Sequence, residues 1–143
     1  MKIRDMMTNS VIPIAPEESV AVAARSLAHY NIGALPVCSE NGHLCGLVTD
    51  RDIVIRCLAS GKSAQQTLVR DVMSSNLTWA TPEMNVEEAA KLMGDRQIRR
   101  LPVLENGKLC GMVSLGDLAR GAETTRNAAN ALKRISGNVS NRK

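Results

Sequence analysis

The chain has 143 residues and a formal net charge of +4, enough for one body with a shared core but not for two independent domains of ordinary size. Its aromatics are one tyrosine, Tyr30, and one tryptophan, Trp79, with no phenylalanine, so the core is aliphatic and the base-stacking side chains of single-stranded nucleic-acid binders are nearly absent. No apolar run reaches the length of a membrane span, and Met1-Lys2-Ile3-Arg4-Asp5 lacks the apolar stretch of a secretory signal, which gives the expectation of a cytoplasmic protein.

In chain order, Val11 to Ile14 reads as a short strand, and Pro16 with Glu17-Glu18 as the first turn of a helix reaching about Tyr30. Val20, Ala23, Ala24 and Leu27 form its apolar stripe. Leu35 to Cys38 and His43 to Thr49 read as a hairpin turned at Asn41-Gly42. A second helix spans Asp52 to Ala59 and stops at Gly61, and polar Ser60 to Thr67 reads as a linker. The pattern then returns. Ile3-Arg4-Asp5-Met6-Met7-Thr8 reappears as Val69-Arg70-Asp71-Val72-Met73-Ser74, sixty-six residues on, and Leu35-Pro36-Val37 as Leu101-Pro102-Val103. Val86, Ala89, Ala90 and Met93 repeat the helical stripe, and Leu101 to Leu104 and Lys108 to Ser114 repeat the hairpin around Asn106-Gly107. One residue is lost in that loop, so the offset falls to sixty-five from Leu44 against Leu109 onward. A helix from Leu115 to about Arg120 follows, with Gly121 as its stop. Thr124 to Ile135, with Ala128, Ala131, Leu132 and Ile135 on one face, predicts a last helix, and Ser136-Gly137-Asn138 opens a basic tail expected to be disordered.

Cys38, Cys45, Cys57 and Cys110 lie in apolar stretches without a C-x-x-C, and only His29 and His43 could join them as metal ligands. Buried, reduced thiols are the expectation, with no metal site.

The end of each hairpin carries glycine, two apolar residues, a hydroxyl and, three positions on, an aspartate: Gly46-Leu47-Val48-Thr49-Asp50-Arg51-Asp52 and Gly111-Met112-Val113-Ser114-Leu115-Gly116-Asp117. This motif, the Leu-Pro-Val segments and the Asp-Met-Met and Asp-Val-Met openings resemble the cystathionine-β-synthase-type (CBS) repeat over about Lys2 to Arg120. The resemblance implies an α/β (α+β) fold of two β-α-β-β-α repeats, residues 1–61 and 70–121, joined by 62–69 and followed by a C-terminal helix and basic tail at 122–143. A three-stranded unit of that size cannot cover its own sheet, so the repeats are expected to pack sheet to sheet with pseudo-two-fold symmetry.

A hydroxyl followed by a carboxylate three residues on is close to a capping box, and capping alone would account for either copy. Aspartate reaches back less far than glutamate or glutamine, however, and the glycine clears space at the strand end, which favours a double role in fold and ligand binding. The carboxylates of Asp52 and Asp117 can accept both hydroxyls of a ribose, and the hydroxyls of Thr49 and Ser114 suit a phosphate. The resemblance further implies an adenine held by Val11, Ile12, Ala34 and Pro36 in one site and by Leu77, Thr78, Arg100 and Pro102 in the other. It also implies phosphate contacts from Arg99, Arg100 and Arg51, side chains that could equally be solvated charges. Arg100, standing where the first repeat has Ala34, either narrows its pocket or contacts a phosphate.

The expected function is therefore regulatory: a non-enzymatic module, doubled into a homodimer, that binds AMP, ADP, ATP or S-adenosylmethionine in the clefts between paired repeats, requires no cofactor, and signals to an unidentified protein partner. No acid–base pair, nucleophile set, metal cluster or Walker-type loop supports an enzyme. The rival is nucleic-acid or acidic-partner binding through Arg126, Lys133, Arg134, Arg142 and Lys143; a purely dimerising module is a third.

Overall fold

The computed structural model describes residues 1–120 and 125–140. Its elements follow one pattern twice. Helix α1 (Val20–Tyr30) leads to strands β1 (Ala34–Cys38) and β2 (Leu44–Thr49), then α2 (Asp50–Ile53), which runs on as a π-helical turn over Val54–Leu58. After the short α3 (Val69–Val72) come α4 (Val86–Arg96), β3 (Arg100–Glu105), β4 (Lys108–Ser114) and α5 (Leu115–Ala119), and α6 (Thr125–Ser140) ends the described chain. The result is a mixed α/β fold with two antiparallel sheets, β1 with β2 and β3 with β4.

Each sheet has two strands where three were expected. Val11 to Ile14 is reduced to one parallel bridge between Ile14 and Val37, and its counterpart to one between Ala80 and Val103. Proline sets the limit. Ile14 N donates to Pro36 O and Cys38 N to Ile14 O, both at 2.9 Å; the next bond of a parallel ladder would need an N–H on Pro36, which has none. Pro102 stops the second ladder in the same way, after Ala80 N has donated to its carbonyl at 2.9 Å.

Helix α1 also begins later than Pro16. Ser19 is its N-cap, with the hydroxyl accepting from Val22 N at 3.2 Å, and Pro16 and Glu17 lie in the preceding turn. Ser19 carries the side-chain oxygen that an N-cap needs. At the other end of the chain, α6 runs through Ser136-Gly137-Asn138 to Ser140, so the expected start of the tail is helical. Gly121 and Thr124, and Arg142 and Lys143 of the tail, lie outside the described residues.

The chain forms two compact units that cut across the sequence repeats. One comprises Ile12–Leu77 with Gly107–Leu109; the other comprises Met1–Val11, Thr78–Asn106 and the chain from Cys110. The opening motif of each repeat thus serves the core of the other. Ile3 is fully buried among Val86, Met93, Leu101 and Leu118, while Val69 and Val72 are fully buried with Val20, Leu35 and Val48. The segment read as a linker is tied down: Val20 N donates to Thr67 O and Ala21 N to Ala64 O, both at 2.9 Å.

Glycines of the strand motif make these joins possible. A Cβ on Gly46 would fall 2.7 Å from Met73 Sδ and 2.8 Å from Ser74 O, where Leu47 and Ser74 form a bridge. The two repeats differ at the helix stripe. Ala24 is exposed on α1, yet its counterpart Ala90 is buried, because α6 packs along α4 and α5. Gly94 of α4 admits it: a Cβ there would lie 3.4 Å from Ala131 Cα, and Arg134 pairs with Asp95 beside it.

Candidate functional site

The repeated hydroxyl–aspartate motif stands at the junction of β2 with α2 and of β4 with α5. Both copies form a complete capping box. Asp52 N donates to Thr49 Oγ1 and Thr49 N to Asp52 Oδ2, each at 3.0 Å; Asp117 N donates to Ser114 Oγ at 3.1 Å and Ser114 N to Asp117 Oδ2 at 2.7 Å. Aspartate therefore reaches back far enough to close the box behind each extended N-cap residue. A second tie fixes each junction against the start of the hairpin: Asp50 N donates to Gly33 O at 3.2 Å and Leu115 N to Arg99 O at 2.9 Å.

The first unit holds Ile12, Ala34, Pro36, Thr49, Arg51, Asp52 and Leu77, the second Val11, Thr78, Arg99, Arg100, Pro102, Ser114 and Asp117. The unit boundaries fall between Val11 and Ile12 and between Leu77 and Thr78. Within the first unit, Ala34 is buried and pairs with Thr49 across the sheet, and Pro36 pairs with Leu47. Arg51 is exposed on α2. In the second unit, Arg99, Arg100 and Ser114 share a pocket of about 450 Å³.

The rest of that pocket was not foreseen. Leu115 and Gly116 line it beyond Ser114, and α6 supplies Ala129 and Leu132. Leu132, read as sharing one helical face with Ala131 and Ile135, is 41% exposed, while Ala131 and Ile135 turn inward to the core. Arg120 was read only as the end of a helix, but its guanidinium pairs with Asp117 Oδ1. Its position three residues after the acid is the signal that could have revealed the pair. Asp117 is the one buried charged side chain among the described residues, and every buried polar side-chain atom described has a hydrogen-bond partner.

Burial, and then the neighbouring Cys45, push the Cys38 thiol above its ordinary pKa. Burial, and then Glu105, do the same for Cys110. Among the described residues no three His, Cys, Asp or Glu side chains are grouped to hold a metal ion, and no helix is long and apolar enough to cross a membrane.

The CBS domain family matches residues 3–58 and again residues 69–123. The chain belongs to the CBS-domain family. The CBS domain-containing protein YhcV of Bacillus subtilis (strain 168) is 42% identical over 134 residues, spanning 94% of each chain. Among solved structures, Hypoxic Response Protein I, described with two coordinated zinc ions, superposes with a TM-score of 0.78 at 32% identity, over 84% of this chain and 98% of that one. The CBS domain pair of MJ0100, in complex with methylthioadenosine and S-adenosyl-L-methionine, superposes with a TM-score of 0.76 at 27% identity, over 84% and 94%. Helix α6 lies wholly beyond the second CBS match.

Proposed function

We propose that this CBS pair is a regulatory sensor of adenine nucleotides and not an enzyme, acting in the cytoplasm as a homodimer whose ligand state is read by a protein partner. One observation carries the reading. At two equivalent strand–helix junctions a hydroxyl and a carboxylate are locked together, and at the second the hydroxyl residue, Ser114, lines a pocket with Arg99 and Arg100. A fixed carboxylate suits a sugar diol, and guanidinium groups suit phosphate. The two adenosyl compounds in the MJ0100 complex support the ligand class. The absence of a nucleophile, an acid–base pair or a metal cluster from the motif supports sensing over turnover.

The experiment is a thermal-unfolding titration of nucleotide-stripped protein with AMP, ADP, ATP and S-adenosylmethionine, repeated on Asp52→Ala and Asp117→Ala. Each variant is compared with its own unliganded midpoint, because both substitutions also remove a helix cap. A ligand at a hundredfold over its dissociation constant stabilises the fold by about 2.7 kcal/mol. The expected result is that at least one adenosyl compound raises the midpoint and one Asp variant loses the rise. If the folded protein responds to none of them, the motif is a capping device only and the reading is wrong.

A further inference from the structure

Cys38 and Cys45 meet across the hairpin of β1 and β2, within the first unit. Pro36 pairs with Leu47, and strand side chains alternate between faces, so the residues two positions nearer the turn, Cys38 and Cys45, share the face of that pair. The register shifts at this point. Val37 pairs with Gly46 but Cys38 with Leu44, which leaves Cys45 as the extra residue of a β-bulge set against Cys38. The turn end of the hairpin is tied, with Ser39 N donating to His43 O at 2.9 Å and Gly42 N to Ser39 O at 3.0 Å. Both thiols are free, Cys38 buried and Cys45 half-buried, and Cys45 is near enough to add to burial in raising the Cys38 pKa. Opposed residues of an antiparallel pair have Cβ atoms about 4.5–5.5 Å apart, against about 3.5–4.5 Å in a disulfide, so a bond between the two asks only a small inward shift. The second hairpin has no such pair: Cys110 stands where the first has Cys45, but Leu104 stands where it has Cys38.

We propose that Cys38 and Cys45 are a peroxide-responsive pair in which Cys45 is the thiol that is oxidised and Cys38 the thiol that closes a reversible disulfide. Hydrogen peroxide is the oxidant. The Cys45 sulfur attacks one peroxide oxygen; the S–O bond forms, the O–O bond breaks, and one water leaves behind a sulfenic acid. The Cys38 sulfur then attacks Cys45 Sγ; the S–S bond forms, the S–O bond breaks, and the hydroxyl departs with the Cys38 proton as a second water. Two electrons have passed from the thiols to the peroxide, and a dithiol reductant returns them. The roles follow from exposure. Cys45 is the thiol that solvent reaches, while Cys38 is only 8% exposed and held protonated by its burial, so it stays reduced until a sulfenic acid forms beside it. Closure spares Cys45 the further, irreversible step to a sulfinic acid. Leu104 has no sulfur with which to do the same for Cys110.

The test treats the folded full chain with hydrogen peroxide, unfolds it in iodoacetamide, digests it with trypsin without reduction and weighs the peptides. Residues 26–51 carry both thiols with no lysine or arginine before Arg51, so one peptide reports the pair. On wild type it should lose two hydrogens and take no iodoacetamide, and dithiothreitol applied before alkylation should restore both thiols. Cys38→Leu copies the second hairpin and should leave Cys45 as a sulfenic acid that dimedone traps, passing to the sulfinic acid at higher peroxide. Cys45→Ser changes the half-buried member and serves if the leucine variant does not fold; in it Cys38 should stay reduced and take iodoacetamide once unfolded. The proposal is overturned if both wild-type thiols take iodoacetamide at every peroxide dose the fold survives. It is overturned equally if wild-type Cys45 reaches the sulfinic acid while Cys38 remains a thiol, or if either cysteine is found linked to Cys57 or Cys110 instead. Oxidation of Cys38 in Cys45→Ser overturns the assignment of roles.

Discussion

Gly111 lies directly against Thr8: a Cβ added to it would fall 2.9 Å from the Thr8 carbonyl oxygen and 2.8 Å from the sulfur of Met7. The carbonyl cannot retreat freely, because Thr8 is held to Met112 by two backbone hydrogen bonds of 2.8 and 3.0 Å. Gly111→Ala is therefore expected to cost about 1–3 kcal/mol, the usual range for overpacking. Gly46→Ala should cost a similar amount against Met73 and Ser74. Urea unfolding midpoints of the two variants check this, and a change within about 0.5 kcal/mol, the range of an ordinary surface substitution, would show that the strands are not packed this closely.

The same contact marks how far the sequence could be read. The Asp-Met-Met-Thr opening and the glycine of the strand motif are both visible as repeated words, and the helices, hairpins and capping residues follow from local patterns. What is not visible is that Met7-Thr8 meets Gly111 of the other repeat, since an internal repeat gives two identical candidates for every partner. Exchange of the opening segments was therefore illegible. The short third strand was readable in principle, because Pro36 and Pro102 each remove the donor that would extend it. The Arg120–Asp117 pair was readable from spacing, whereas the placement of Leu132 in a pocket depends on how α6 lies across α4 and α5, which the period of its stripe alone does not fix.

Cys38 and Cys45 should differ in reactivity. Burial and the proximity of Cys45 raise the Cys38 thiol pKa, so at pH 8 less of it is thiolate than in an unfolded chain. Cys45 is half-buried and Cys38 is buried. An aromatic disulfide reagent at pH 8, followed by peptide mass spectrometry, is expected to label Cys45 first and Cys38 only on unfolding. The stabilisation tied to the Cys38 proton is present below the unfolded thiol's pKa and is lost as pH rises above it toward the folded value. Equal labelling rates for the two thiols would contradict the burial of Cys38.

Ile3 gives the sharpest check on the exchanged segments, because its place in the sequence and its place in the core point to different repeats. The side chain is fully buried in the cluster that contains Val86, Leu101 and Val113, and truncating such a residue costs about 2–5 kcal/mol. Ile3→Ala removes core from the second repeat's unit even though residue 3 opens the first repeat. Under native conditions, where units open locally before the whole chain unfolds, amide exchange should therefore accelerate first in Arg100–Glu105 and Lys108–Ser114. Val69→Ala should do the reverse, since Val69 is fully buried beside Leu35 and Val48, and accelerate Ala34–Cys38 and Leu44–Thr49. If Ile3→Ala instead loosens Ala34–Cys38 first, each opening segment belongs with its own repeat and the assignment of Met1–Val11 to the second unit is wrong.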